Sequence, residues 1–476
     1  MGTIGRMTIE TASVSLISLG CSKNEVDSEE MLGILDHEGY LVNHTASPAT
    51  VAHGTKVVII NTCSFIESAR KESIDTIKAA IERKRLGEID KVIVTGCLPQ
   101  RYRDDLVAEL PEVDAFLGTG NTHKISSVVL DALANRPPVV EAEAKPHHKW
   151  LNVPTRIRKG TPWSAYLKIS EGCDHACTFC SIPSFRGKHV SKPEDMILTE
   201  ARMLAEQGVL ELNLIAQDST QYGHDLYGEF RLAKLLKSLS KVDGIQWIRL
   251  FYCYPSRVND EIIDALANTP KVLPYIDMPL QHADSDVLRR MRRPMNAETY
   301  LALVDKFRAA SPQASIRTTF IVGFPGETEG EFENLLTFVK QARFDRVGAF
   351  TYSVEDGTPS ATLENRVDPA TQTMRRNRLM ELQQGISLER NQAWVGEELE
   401  ALVEGRAPRD FTMAVARTFR DAPEVDGQVY VRTCMARPGS FVKVRVTEAR
   451  PYDLIATPVN AADMRLAMKL NPATTS

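Results

Sequence analysis

The chain has 476 residues, a net charge of −5, and 25% charged against 43% hydrophobic residues. That leaves room for two to four domains with ample cores and excludes a protein that grips nucleic acid by overall positive charge. Its apolar runs are too short for a membrane span, residues 1–13 lack the plan of a signal peptide, and eight cysteines are too sparse for a secreted disulfide scaffold, which points to a reducing cytoplasm with thiols free to bind metal.

The first segment, 13–135, alternates β-branched runs with helical stretches. Strands are predicted over 14–19, 57–60 and 92–94, and helices over 24–39 and 66–85, the pattern of a small doubly wound α/β domain. A cysteine follows each strand: Cys21, Cys63 and Cys97. Parallel strands of such a sheet deliver their C-terminal ends to one edge, so three thiols far apart in sequence should meet there. Cysteine is also a small apolar residue at home near strand ends. Three in register, with small or polar neighbours, point instead to an iron–sulfur site with three protein ligands.

Residues 136–154, with Pro137-Pro138 and His147-His148-Lys149, read as a linker with solvated histidines. The segment 155–390 then predicts strands over 165–170, 211–216, 247–252, 275–280, 316–323 and 346–353, separated by helices such as 193–207, 258–268 and 327–342. Six β/α units in series describe a partial parallel barrel, whose chemistry gathers at the C-terminal strand ends. The loop Cys173-Asp174-His175-Ala176-Cys177-Thr178-Phe179-Cys180 lies at one such end. Three thiolates at this spacing can hold three irons of a 4Fe–4S cube and leave the fourth iron open, unlike the four-ligand clusters of electron carriers. A zinc site would need a fourth ligand, and His175 lies inside the loop at the wrong spacing. Beside the cysteines, Phe179, Gln217, Asp218, His282, Gly323, Gly326 and Glu327 are candidates for cofactor contact. The turn Gly323-Phe324-Pro325-Gly326-Glu327 lacks the Lys-Ser/Thr of a nucleotide phosphate loop, and a backbone surface for a small cofactor is the better reading.

The last segment, 393–460, predicts short strands over 399–405, 413–420, 427–432, 441–448 and 453–457. Five antiparallel strands suggest a small closed barrel of the oligonucleotide-binding kind. Between Val395 and Leu454 nine Lys/Arg face ten Asp/Glu, too few cations for a module that holds RNA phosphates. Residues 461–476 read as a tail, and Cys253 and Cys434 as ordinary residues.

From about 14 to 455 the chain resembles the radical S-adenosylmethionine methylthiotransferases. Cys173, Cys177 and Cys180 match that superfamily's cluster motif, and Cys21, Cys63 and Cys97 match the ligands of the family's auxiliary cluster. The strings Ser18-Leu19-Gly20-Cys21-Ser22-Lys23-Asn24, Lys168-Ile169-Ser170-Glu171-Gly172-Cys173 and Asp421-Ala422-Pro423-Glu424-Val425-Asp426-Gly427 look like the branch that modifies an aspartate of small-subunit ribosomal protein twelve. The branch that modifies adenosine in transfer RNA typically reads Gly-Cys-Gln-Met-Asn at the first place, where Ser22-Lys23 here replaces Gln-Met.

The resemblance implies two 4Fe–4S clusters, S-adenosylmethionine as source of both a 5′-deoxyadenosyl radical and a methyl group, and a final domain of the TRAM type. It also implies a low-potential electron donor such as flavodoxin or ferredoxin, a ribosomal protein as acceptor rather than nucleic acid, and a cytoplasmic setting without a membrane. Glu397, Glu398, Glu400 and Asp426 would then complement the basic acceptor. The alternatives are a transfer-RNA methylthiotransferase with the same chemistry and, more distantly, an iron–sulfur electron carrier.

Overall fold

The computed structural model describes residues 12–143, 146, 148–150, 155–408 and 410–460. Residues 1–11, 144, 145, His147, 151–154, 409 and the tail 461–476 lie outside the described residues.

The first sheet contains β1 (Ser13–Ser18), β2 (Leu41–Thr45), β3 (Thr55–Thr62), β4 (Ile89–Gly96), β5 (Ala115–Gly118) and β6 (Val139–Glu141), all parallel and ordered β2-β1-β3-β4-β5-β6. Its central strands are apolar at nearly every position because both faces are covered. Alternate residues go to opposite sides. Val57 and Ile59 pack with Met31, Leu32 and Leu35 of helix α1 (Ser22–His37), while Val58 and Ile60 pack with Ile77, Ala80 and Ile81 of helix α2 (Glu67–Arg85). The strand order reverses between β1 and β3, which opens a crevice at their C-terminal ends.

The second sheet is an open run of six parallel strands in which each follows its neighbour in sequence. These are β7 (Ser164–Lys168), β10 (Glu211–Ile215), β11 (Trp247–Leu250), β12 (Val272–Asp277), β13 (Ser315–Val322) and β14 (Arg346–Thr351). After β7, a two-residue pair, β8 (Ser170–Glu171) with β9 (Val190–Ser191), clamps the base of the cysteine loop.

The last domain is a closed barrel ordered β15-β16-β17-β19-β18, from β15 (Glu398–Ala407), β16 (Asp410–Thr418), β17 (Val429–Val431), β18 (Phe441–Ala449) and β19 (Leu454–Pro458). The β17–β19 pair is parallel, a correction to the expected all-antiparallel barrel. A ring of five strands cannot alternate direction throughout, so one pair must run the same way.

Buried charge joins the domains. On one seam Asp27 and Glu171 share Lys168 and Arg186, and Glu29 and Glu200 share Arg156, with Lys192 also on Glu200. On the other, Glu211 takes Arg249 and Arg417, and Arg346 meets Asp421. Glu25, in the first turn of α1, has its carboxyl pushed up to about 7 by burial, with Glu29 and Glu424 adding to the shift. A raised carboxyl favours the fold while protonated, so this contribution is full below the unfolded value near 4.5 and is lost as pH rises through 7. Glu25→Gln should therefore exceed the wild type in stability at pH 8 by about 1–3 kcal/mol, discounted for partial solvent screening. The gain should vanish at low pH, which thermal melts at pH 8 and pH 4.5 compare; an equal gain at both would contradict it.

Candidate metal centres

Cys21, Cys63 and Cys97 follow three strands that are neighbours in the sheet, β1, β3 and β4. Cys21 caps α1 and Cys97 opens a short helix, α3 (Cys97–Arg101). Gly20 lies at φ +90°, and a Cβ there would come within 2.6 Å of the Cys63 Cβ and 3.1 Å of its Sγ. Glycine is what lets the first two cysteine loops approach. Asn24 ties the loops together, donating to Leu19 O at 3.0 Å and Thr62 O at 2.8 Å, while its Oδ1 lies 3.7 Å from the Cys97 Sγ. Burial pushes the Cys97 thiol up to about 12 against the pull of the Arg186 guanidinium, and raises Cys63 as well. Arg186 belongs to the barrel domain and donates to Asn24, Asp27 and Glu171.

The second triplet lies on the loop after β8. Cys173 N donates to Gly187 O at 3.1 Å, Thr178 N to Met291 O at 3.2 Å, and Thr178 Oγ1 to Arg290 O at 2.8 Å. His175 stacks on Tyr254 with ring centroids 3.5 Å apart, and its Nε2 lies 2.7 Å from Asp218. Arg293 covers the other sector, with Nη1 3.7 Å from the Cys177 Sγ. Burial pushes Cys173 and Cys180 up to about 12. Gly172 lies at φ +79°, and a Cβ there would fall 2.0 Å from Lys188 O, a clash with backbone that cannot step aside. Gly172→Ala is expected to displace Cys173 and to cut the iron retained by this loop severalfold. Iron and sulfide analysis of the reconstituted variant checks this, and wild-type content would refute it.

Among the described residues, the His, Cys, Asp or Glu donors that close within 4.8 Å in a group of three are Asp284, Asp286 and Glu331, so neither cysteine set closes on one ion. A zinc held at about 2.3 Å by each sulfur needs them within about 4 Å of one another. Wider spacing and a buried arginine beside each set suit an iron–sulfur cube; Cys63, Cys97 and Cys177 are buried, Cys173 and Cys180 half-buried, and Cys21 is exposed. The acidic trio is already engaged: Asp284 caps the following helix and Glu331 takes both Arg290 nitrogens.

The other sequence candidates fall into distinct roles. Phe179 packs with Val287, Met291, Phe324 and Tyr352. Gln217 donates to Glu171, and Asp218 fixes His175. The buried His282 accepts Asp284 N at 3.0 Å on Nδ1, and burial pushes its pKa down to about 3, which keeps it neutral. The glycine turn departs from expectation. Gly323 N and Phe324 N donate to Glu327 at 2.7 and 3.1 Å, Gly326 N donates to Asn365 O, and Arg375 closes on Glu327 at 3.0 Å. These amides are already filled, two by Glu327 and one by Asn365, so Glu327 locks the turn.

The acidic platform also needs correction. The Asp426 side chain is buried against Tyr275, Ala422 N and Arg317, because the barrel base supplies it with partners. Glu398 is neutralised by Lys443 and Arg445 across the β15–β18 pair, while Glu397 and Glu400 stay exposed. His148 is not solvated: its Nε2 lies 2.8 Å from Arg186 O, and burial lowers its pKa.

The sequence reading missed Lys23, Arg186, Tyr252, Tyr254 and Arg293. Lys23 carried a usable signal, a lysine beside a candidate ligand at the end of a helix where cations are disfavoured. The arginines carried none.

Residues 13–118 match the uncharacterized protein family UPF0004, 167–339 the radical SAM superfamily and 395–459 the TRAM domain. A protein of Anaeromyxobacter sp. (strain Fw109-5) named ribosomal protein uS12 methylthiotransferase RimO is 46% identical over 97% of this chain and 96% of its own length. This chain belongs to the RimO family. A RimO of the same full name from Myxococcus xanthus is 45% identical, covering 96% of this chain and 94% of its own. Among solved structures, the radical S-adenosylmethionine methyltransferase TsrM of Kitasatospora setae superposes with a TM-score of 0.55 at 14% identity, over 84% of this chain and 80% of that one; the likeness is one of fold. The RimO relatives cover both cysteine triplets and the closed barrel together.

Proposed function

We propose that this chain methylthiolates the β-carbon of an aspartate in small-subunit ribosomal protein uS12. The observation that carries the reading is the pair of three-cysteine sites on two domains joined by Arg186, in a chain similar along its whole length to RimO proteins. Cys173, Cys177 and Cys180 hold one 4Fe–4S cluster, and Cys21, Cys63 and Cys97 hold the other. When bound, these clusters and S-adenosylmethionine supply the low-potential electron, the radical cleavage and the sulfur chemistry that side chains cannot.

The chain's own groups bind and orient. The His175–Asp218 pair and its stack on Tyr254 fix the cluster loop, Arg293 sets positive charge against Cys177, and Arg186 does the same beside Cys97 while locking the first domain over the strand ends. Glu397 and Glu400 offer exposed acidic contacts to a basic acceptor. Electrons come from a low-potential donor of the flavodoxin or ferredoxin class.

The test is mass spectrometry after anaerobic turnover of the iron- and sulfide-reconstituted protein with S-adenosylmethionine, a strong reductant, and either uS12 or transfer RNA. A methylthio gain on the uS12 aspartate alone is expected; a gain on adenosine alone would overturn the reading.

A further inference from the structure

Lys23 lies in the first turn of α1, two residues after Cys21, and is 6% exposed. Among the described residues its ammonium meets no carboxylate; it rests on the face of Tyr252, with Nζ 3.1 Å from the ring centroid. Three features make this placement costly. A buried ammonium is unfavourable without a counter-ion. A cation at a helix N-terminus opposes the helix dipole. Tyr252 itself sits at φ 59°, a strained conformation for an aromatic residue, held by its amide on Asp277 at 3.2 Å and its carbonyl on Ser219 N at 3.0 Å.

Asp277 is no partner for Lys23, because its other oxygen takes Arg317 at 2.8 Å. Glu25, on the same turn, is grouped with Glu29 and Glu424 and sees Lys159 and Arg156 as its cations. Two residues beyond Tyr252, Tyr254 stacks on His175 inside the loop of Cys173, Cys177 and Cys180. A buried cation that meets no carboxylate therefore sits two residues from one cysteine site and on a ring two residues from the stack over the other, with the helix N-terminus adding to its field.

We propose that Lys23 binds the side-chain carboxylate of the acceptor residue and so selects an aspartate for modification. This rests on the proposed function and adds the group that recognises the acceptor. The β-carbon is bonded directly to the carboxyl carbon, so fixing the carboxylate on Lys23 fixes the reacting carbon between the sites.

The test measures binding of uS12, and of uS12 with the acceptor aspartate replaced by asparagine, to the reconstituted holoprotein. The wild type should prefer the aspartate form by about ten- to a hundredfold, as for a charge-assisted contact. Lys23→Met should bind both forms equally, and Lys23→Arg should restore part of the preference, with iron and sulfide content reporting that each variant is folded and loaded. Lys23→Met retaining the wild-type preference would overturn the proposal. So would a wild-type protein that methylthiolates the aspartate yet binds both forms equally, a result that needs no variant and leaves the proposed function standing. Failure of the wild type to modify uS12 at all would sink the functional reading itself.

Discussion

Replacing Cys173, Cys177 and Cys180 together by alanine is expected to abolish S-adenosylmethionine cleavage and product alike, while about half the iron remains on the other triplet. Replacing Cys21, Cys63 and Cys97 should also remove about half the iron, but leave 5′-deoxyadenosine formation within about tenfold and stop methylthio transfer. The asymmetry follows from the architecture. One ligand set lies on a single loop pinned to Gly187, Met291 and Arg290, and the other at three strand ends of a separate sheet, so neither set needs the other's thiols to form. Iron analysis, chromatography of 5′-deoxyadenosine and mass spectrometry of uS12 read the three quantities. Loss of cleavage in the second variant would show that the sites do not work separately.

The second large effect is on stability. Glu211 is fully buried at the start of β10 and holds Arg249 at 3.1 Å and Arg417 at 2.6 Å, with Ser164 Oγ on the same carboxylate. Burial alone would raise its pKa, but the two guanidiniums outweigh it and bring it to about 2. Glu211→Gln leaves the buried Arg249 with backbone carbonyls alone and Arg417 with Glu404 as its one carboxylate, which costs about 3–5 kcal/mol and lowers the Tm of the barrel transition by about 10 °C. Since the folded pKa is depressed, the wild type's advantage is present above pH 4.5 and is lost as pH falls towards 2. Calorimetry of both proteins at pH 7 and pH 3 tests this. A gap that fails to narrow at pH 3 would mean that the carboxylate's charge is not the source. Arg417 comes from the closed barrel and Arg249 from the parallel one, so the same change should loosen the TRAM domain.

The six cysteines were legible because metal ligation needs particular residue types at particular points, and strand ends in a doubly wound sheet converge by topology. The groups around them were not. Arg186 meets Asn24 across 162 residues, and Arg293 meets Cys177 across 116; such pairs leave no local pattern. Glu327 and Asp426 were misplaced because an acid in a turn looks like a ligand or a surface charge. Whether it turns inward depends on distant donors, Arg375 in one case and Tyr275 and Arg317 in the other. Strands β2, β5 and β6 escaped notice for a different reason. They have five, four and three residues, too few to show a period. The direction of the β17–β19 pair was decided by parity, which no single segment reveals.

Among the described residues, β7 and β14 each pair along one side only, so the parallel run has two edges. Each edge strand is packed by a helix of the same chain, α1 against β7 and the helix Pro369–Gln392 against β14. An unpaired edge invites strand addition from another molecule, and here a partner would have to compete with those helices for the space. Growth of the sheet by a neighbouring chain is thereby disfavoured, and at β7 the edge serves instead to join the first domain to the second.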